Sequence, residues 1–370
     1  MNGDWAYLSR EPLVLRSNRV WRTYQGGMKI EEWQGKPDPK DGDYPEEWVA
    51  STVKARNPGR EAYGDEGLSK LKIDGETTTL KQLIDSDPGA FLGEKHVQKY
   101  GSNMALLFKV LDSKCRLSIQ VHPDRKFSNQ VFNSPFGKTE AWFVLGSREI
   151  SQTESYLLFG FKPGVTRERW RELFERQDIE GMIDCLHKIP VIPGEVWLIE
   201  GGLPHAIGPG CFLIEVQEPT DYTIRVERTT IDGRKLPDVL CHQGAGFDKI
   251  FDCFHYDESC SYEETFKKWR ITPRPVQSVP GAEVMELVGK ADTDKFRLYK
   301  YEVSGSLNCR DERVYSIVTV IAGSGRILYQ NGQTFIGRGD QLFLPANLGD
   351  FKWQADPGSK LVLARAYPPD

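Results

Sequence analysis

Short segments rich in β-branched and aromatic residues, each closed by Gly, Pro, Asp or Asn, recur along most of this chain and restrict it to a mainly β fold. KVLDSKCRLSIQVHP, GKTEAWFVLG, SYLLFGFK, GEVWLIEG, CFLIEVQE and YTIRVER read as strands in the first two thirds. FRLYKYEVSGS, YSIVTVIAGSGRILYQNGQTFIGRGDQLFLPA and KLVLARAY read so in the last third. The turn signals GSG, NG and RGD in that last stretch suit a double-stranded β-helix, in which hairpins stack into a small barrel. A similar cadence, PGEVWLIEGGLPH, occurs at 193–205. The expectation is therefore two related barrels of this jelly-roll kind with a small helical insertion. The first is assigned to residues 1–243 and the second to 244–370. Residues 244–282 are less regular and read as strand fragments and a connecting segment.

Two segments break the β pattern. TTLKQLIDSDPGAFLG places Leu80, Leu83 and Ile84 on one face, which predicts a helix over about 79–92 with Thr79 as N-cap and a stop near Pro88. VTRERWRELFERQDIEGMIDCLHKIP places Trp170, Leu173, Phe174, Met182, Ile183 and Leu186 at helical spacing, which predicts a surface helical pair over about 165–188, packed against sheet.

Composition excludes several functions. No apolar run approaches the roughly 18 residues needed to span a bilayer. The net charge is −5, with acids and bases interspersed, which gives no electrostatic footprint for nucleic acid. No secretory signal is visible at the N-terminus. Seven cysteines stand at 115, 185, 211, 241, 253, 260 and 309 without a CxxC pair. That pattern reads as reduced thiols and points to a cytoplasmic protein.

Polar side chains inside the apolar runs carry the functional argument. Strand side chains alternate faces, so Gln120 and His122 point one way, as do Lys138 and Glu140. His205 follows the Gly-Gly-Leu-Pro turn at a strand end. If these strands are neighbours in one barrel, Gln120, His122, Glu140 and His205 converge on a point in its interior. Two imidazoles, a carboxylate and a neutral amide suit zinc, and also iron, manganese or nickel. With one carboxylate, a divalent ion there keeps a net charge of about +1 and remains a Lewis acid. Glu140 is hard to explain otherwise, because an unpaired buried carboxylate is costly. Lys138, Glu215 and Arg225 would surround such an ion and form a cavity for an anionic, oxygen-rich small molecule. For Arg225 alone, an ion pair with Glu215 or Asp221 at a barrel rim is the simpler account. His96, His187, His242 and His255 lack comparable context and are assigned to surface or core. The second barrel has Tyr329, Gln333 and Phe335 at comparable points and no histidine, so it is expected to bind no metal.

LDSKCRLSIQVHPD, GKTEAWFVL, VIPGEVWLIEGGLPHAIGPGCFLIEVQEPTDYTIRVER, PEEWVAS and TLKQLIDSDPGAFLG together resemble the type I mannose-6-phosphate isomerases of the cupin superfamily, in particular their shorter bacterial and archaeal group. The resemblance runs from about residue 5 to 245 and is weaker beyond. It implies a catalytic zinc ion, one per chain, on Gln120, His122, Glu140 and His205. It implies Arg225, Glu215 and Lys138 as active-site residues and Ser118 as a phosphate contact. It also implies interconversion of mannose 6-phosphate and fructose 6-phosphate through a cis-enediol, by a monomer or homodimer. The chain departs from the family in a longer segment between His122 and Glu140, and in Ile207 where longer members carry a tyrosine. Two other readings are a sugar-phosphate-binding or regulatory barrel without turnover, and a metal-dependent dioxygenase on the same scaffold. Gln120, together with Lys138 and Arg225, favours an anionic sugar over dioxygen chemistry.

Overall fold

A computed structural model describes residues 5–370. Its strands form two seven-stranded, one five-stranded and one four-stranded sheet, with a separate two-stranded hairpin. The larger sheet of the first half contains Leu107–Asp112, Glu140–Ser147, Val196–Ile199 and Cys211–Gln217 as its central strands. The five-stranded sheet contains Gln120–Val121, Tyr156–Phe161, Leu186–Pro190, His205–Ile207 and Ile224–Arg225.

The sheets stack in layers, and each contact is an apolar cluster. Leu111, Trp142, Trp197 and Leu213 of the larger sheet meet Leu157, Phe159, Ile189 and Ile207 of the five-stranded one. The outer face of the five-stranded sheet, including Val121, Leu158 and Ala206, is covered by Trp170, Leu173, Phe174, Met182 and Ile250. The opposite face of the larger sheet, with Val110, Phe143, Ile214 and Val216, packs on Leu298, Ile317, Phe343 and Ala364 of the C-terminal seven-stranded sheet. That sheet in turn uses Val318, Leu342 and Leu363 against Ile327, Ile336 and Trp353 of the four-stranded sheet. The EAWFVL run is apolar without alternation because both of its faces are buried: Trp142 points to one layer and Phe143 to the next.

Strands cross between the halves. Leu13 and Val14 pair with Phe343 and Leu342 of the C-terminal sheet. Arg270 and Ile271 pair with Trp197 and Val196 of the first half. The early segments Arg19–Val20 and Glu46–Val49 extend the N-terminal sheet beside Leu107–Asp112.

Several local expectations change. Thr79 does cap a helix, in a capping box with Gln82, but that helix ends at Ser86. Asp87 then caps a second one, Pro88–Leu92, because proline is well suited to a first helical turn. The later pair is Arg167–Arg176 and Ile179–Asp184, and Leu186 belongs to a strand that pairs with Tyr156–Phe161. Residues 247–269 are largely helical rather than strand fragments: Phe247–Ile250 is a short helix, and Ser261 with Glu264 closes a capping box on Tyr262–Trp269. KVLDSKCRLSIQVHP is two strands joined by an irregular link at 113–119, and Lys138 stands just before the strand that Glu140 begins. Of Tyr329, Gln333 and Phe335, two face solvent on the hairpin Ser324–Tyr329 and Gly332–Gly337, Phe335 being 67% exposed, and Tyr329 is half-buried. All seven cysteines are free thiols, and among the described residues no helix is long and apolar enough to cross a membrane.

Candidate metal centre and cavity

Antiparallel pairing sets His205 opposite Gln120, and Gln120 opposite Arg225. Glu140 opens its strand opposite Ile199 and Gln217. Their side chains meet between the two sheets of the first half. Nε2 of His122 lies 3.2 Å from Oε2 of Glu140, and Nε2 of His205 lies 3.6 Å from Oε1. The amide nitrogen of Gln120 is 3.3 Å from Nε2 of His205. The His122, Glu140 and His205 donors all fall within 4.8 Å of one another.

Each imidazole is turned by a partner behind it. Nδ1 of His122 donates to the Tyr222 carbonyl at 2.9 Å, and Nδ1 of His205 to the Leu203 carbonyl at 2.9 Å. That tautomer leaves both Nε2 lone pairs facing inward. Burial, reinforced by Lys138, pushes His122 down to about 3, and burial lowers His205 too. Both rings are therefore neutral at physiological pH, as a ligand must be. Burial alone would raise Glu140, but Lys138 and the two histidines hold it well below the ordinary carboxylate range.

These residues fit a divalent ion. Donors at about 2.1 Å in a tetrahedron stand ~3.4 Å apart, close to the 3.2 and 3.6 Å that separate the two imidazoles from the Glu140 carboxylate. Oε1 of Glu140 is buried with no hydrogen-bond partner, and such a group calls for a cation. The Lys138 ammonium already reaches this point, 2.6 Å from Nε2 of His122 and 2.7 Å from Oε2 of Glu140.

Beside the centre lies a narrow cavity of about 50 Å³ that opens to solvent. Ser118, Gln120, Lys138, Glu215 and Arg225 all line it, so every residue singled out from the sequence borders either this cavity or the metal cluster. Glu215 accepts from Lys109 Nζ at 2.8 Å and from Trp142 Nε1 at 3.2 Å. Burial and the Glu140 charge raise it, against Lys109 and Lys138. Arg225 forms no rim ion pair with Glu215 or Asp221: its guanidinium donates to the carbonyls of Leu240 at 2.8 Å and Thr223 at 3.3 Å.

Sequence reasoning missed one wall of the cavity. Arg22 bridges Glu46 at 3.0 Å and Asp221 at 3.1 Å. Glu46 lies 3.8 Å from Lys109 and accepts from the Tyr24 hydroxyl at 2.9 Å. A buried chain of alternating charge thus runs from Asp221 through Arg22, Glu46 and Lys109 to Glu215. Lys109 inside LLFKVL carried the same signal as Glu140 and Glu215, a charge within an apolar strand, and Arg22, Glu46 and Asp221 carried none.

Sheet sandwiches around a His–Glu–His cluster that could hold a metal ion define a cupin-like fold. Comparison narrows this. The phosphomannose isomerase type I catalytic domain matches residues 22–138, and the mannose-6-phosphate isomerase cupin domain matches residues 290–364. The mannose-6-phosphate isomerase of Streptococcus mutans is 29% identical over 279 residues, covering 74% of this chain and 78% of its own. ManA of Bacillus subtilis is 26% identical over 263 residues, covering 69% of this chain and 73% of its own. The crystal structure of the mannose 6-phosphate isomerase from Bacillus subtilis superposes with a TM-score of 0.73 at 23% identity, covering 96% of this chain and 99% of the other. The chain belongs to the type I phosphomannose isomerase family and is an isomerase.

Proposed function

We propose that the protein interconverts mannose 6-phosphate and fructose 6-phosphate, with one zinc ion held by Gln120, His122, Glu140 and His205. The observation that carries this reading is the meeting of those four side chains, from three separate segments of the chain, beside a cavity walled by Lys138, Glu215 and Arg225. When bound, the ion would supply Lewis-acid polarisation of substrate oxygens. The rest falls to the chain. Glu215, raised by burial and therefore closer to the working pH than an ordinary carboxylate, takes the C2 proton of the open-chain aldose and returns it at C1 through a cis-enediol. Lys138 is the second choice for that role, and it lies near enough to move a proton between the hydroxyls. Arg225 places fixed positive charge along the wall where the enediolate develops. Ser118 is assigned to the phosphate end. The two sheet pairs are read as two double-stranded β-helix barrels divided near residue 243, and the protein as a cytoplasmic monomer or homodimer.

The test is direct. Zinc-loaded protein incubated with mannose 6-phosphate is expected to release fructose 6-phosphate, and a chelator to stop it. No product from the zinc-loaded protein overturns the reading. Metal analysis of the purified protein decides zinc against iron.

A further inference from the structure

Residues 200–204 form the turn that leads from the Val196–Ile199 strand into His205, and this turn touches every ligand-bearing segment. The Gly202 N–H donates to the His122 carbonyl at 2.7 Å. The Gly201 N–H reaches the hydroxyl of Thr139, the neighbour of Glu140, at 3.4 Å. The Leu203 carbonyl receives Nδ1 of His205. Gly202 is left-handed, with φ of +92°, and the space where its side chain would stand is filled by the His255 ring: a Cβ there would lie 2.4 Å from it. The His255 N–H donates to the Gly202 carbonyl at 2.9 Å, and its Nε2 lies 3.3 Å from Oδ2 of Asp124. Asp124 spends its other oxygen capping the helix Arg125–Phe132 through the Phe127 N–H at 2.6 Å. This arrangement borders a separate surface hollow shared with Glu200, Leu203 and Trp269, outside the substrate cavity.

We infer that His255 is a positioning residue for the metal centre: its ring, seated on Gly202 and held by Asp124, fixes the 200–204 turn and with it the spacing of His122, Glu140 and His205. The inference rests on the metal reading above. A glycine turn has wide backbone freedom unless something clamps it. The bond to Asp124 raises His255 above its ordinary value, so the clamp is charge-assisted. Residues behind a metal's ligands commonly change affinity by about 10–100-fold, and the lower end is expected here.

Zinc affinity of the full chain, measured by competition with a chromophoric chelator, tests this alongside circular dichroism and steady-state kinetics. His255→Phe keeps a flat ring on Gly202 but loses the bond to Asp124. It should bind zinc about tenfold more weakly, with KM unchanged and kcat recovered in excess zinc. His255→Gln keeps a planar donor within reach of Asp124 and should return affinity to within about twofold of the parent. Asp124→Asn keeps the helix cap and should reproduce the loss, so it stands in if His255→Phe does not fold. Unchanged zinc affinity in the folded variant overturns the inference, and so does a kcat loss that excess zinc leaves in place. Parent protein that retains no zinc overturns the metal centre itself, and is seen before any variant is made.

Discussion

Single residues make the site, and single substitutions separate their roles. Glu140→Ala removes the only carboxylate in the cluster and should abolish metal retention, measured by metal analysis after dialysis. Arg225→Ala should keep the metal and lower kcat by roughly 10²–10³, the scale seen when one preorganised donor is removed; the reverse pattern would exchange the two roles. Glu46 gives a pH prediction. Burial would raise it, but Arg22 and Lys109 hold it at about 2 against an ordinary 4.5. Its folded value is depressed, so its contribution is full above about 4.5 and is lost as pH falls toward 2. That shift corresponds to roughly 3 kcal/mol. The stability measured by denaturant unfolding should therefore fall steeply as pH drops through that window, and Glu46→Gln should flatten the slope. Gln120, His122, Glu140 and His205 were legible because ionisable and amide groups inside apolar strands need a partner. Arg22, Glu46 and Asp221 were not, because they sit in segments whose spacing does not say which part of the chain they will face.

At the level of elements, local chemistry fixed starts better than extents. Thr79 and Gln82 form the reciprocal bonds expected of a capping box, and Thr79→Ala should cost about 1 kcal/mol, visible as a lowered melting temperature. The run at 165–188 read as helix to its end because Leu186 continues the 3.6-residue spacing, yet tertiary pairing with Phe161 makes it a strand. The segment 247–269 was misread for the opposite reason: its aromatic and charged residues lack clear alternation, and only the Ser261–Glu264 cap marks the helix that follows. Trp170 and Phe174, on the helix Arg167–Arg176, cover the outer face of the five-stranded sheet, whose other face holds His205.

For the whole molecule, the mainly β class was readable, while the stacking of one half on the other was not, because both faces of an unbroken apolar strand look alike in a sequence. Phe343→Ala, in the layer shared by Val110, Phe143 and Ile214, should destabilise by about 3–5 kcal/mol and lower both halves together in a single calorimetric transition. Residues 1–243 expressed alone would expose that face and should self-associate in size-exclusion chromatography; a well-behaved monomer would show the contact to be dispensable. The pairing of Leu13–Val14 with Leu342–Phe343 also orders events in time. A ribosome delivers this early strand hundreds of residues before its partner, so the segment that leads on to Arg22 and Tyr24 stays untethered on that side until residues 341–344 have been made. Maturation of the pocket is thereby tied to completion of a distant sheet, and a nascent chain stalled before residue 340 would hold all four candidate ligands while lacking the anchor for the wall beside them.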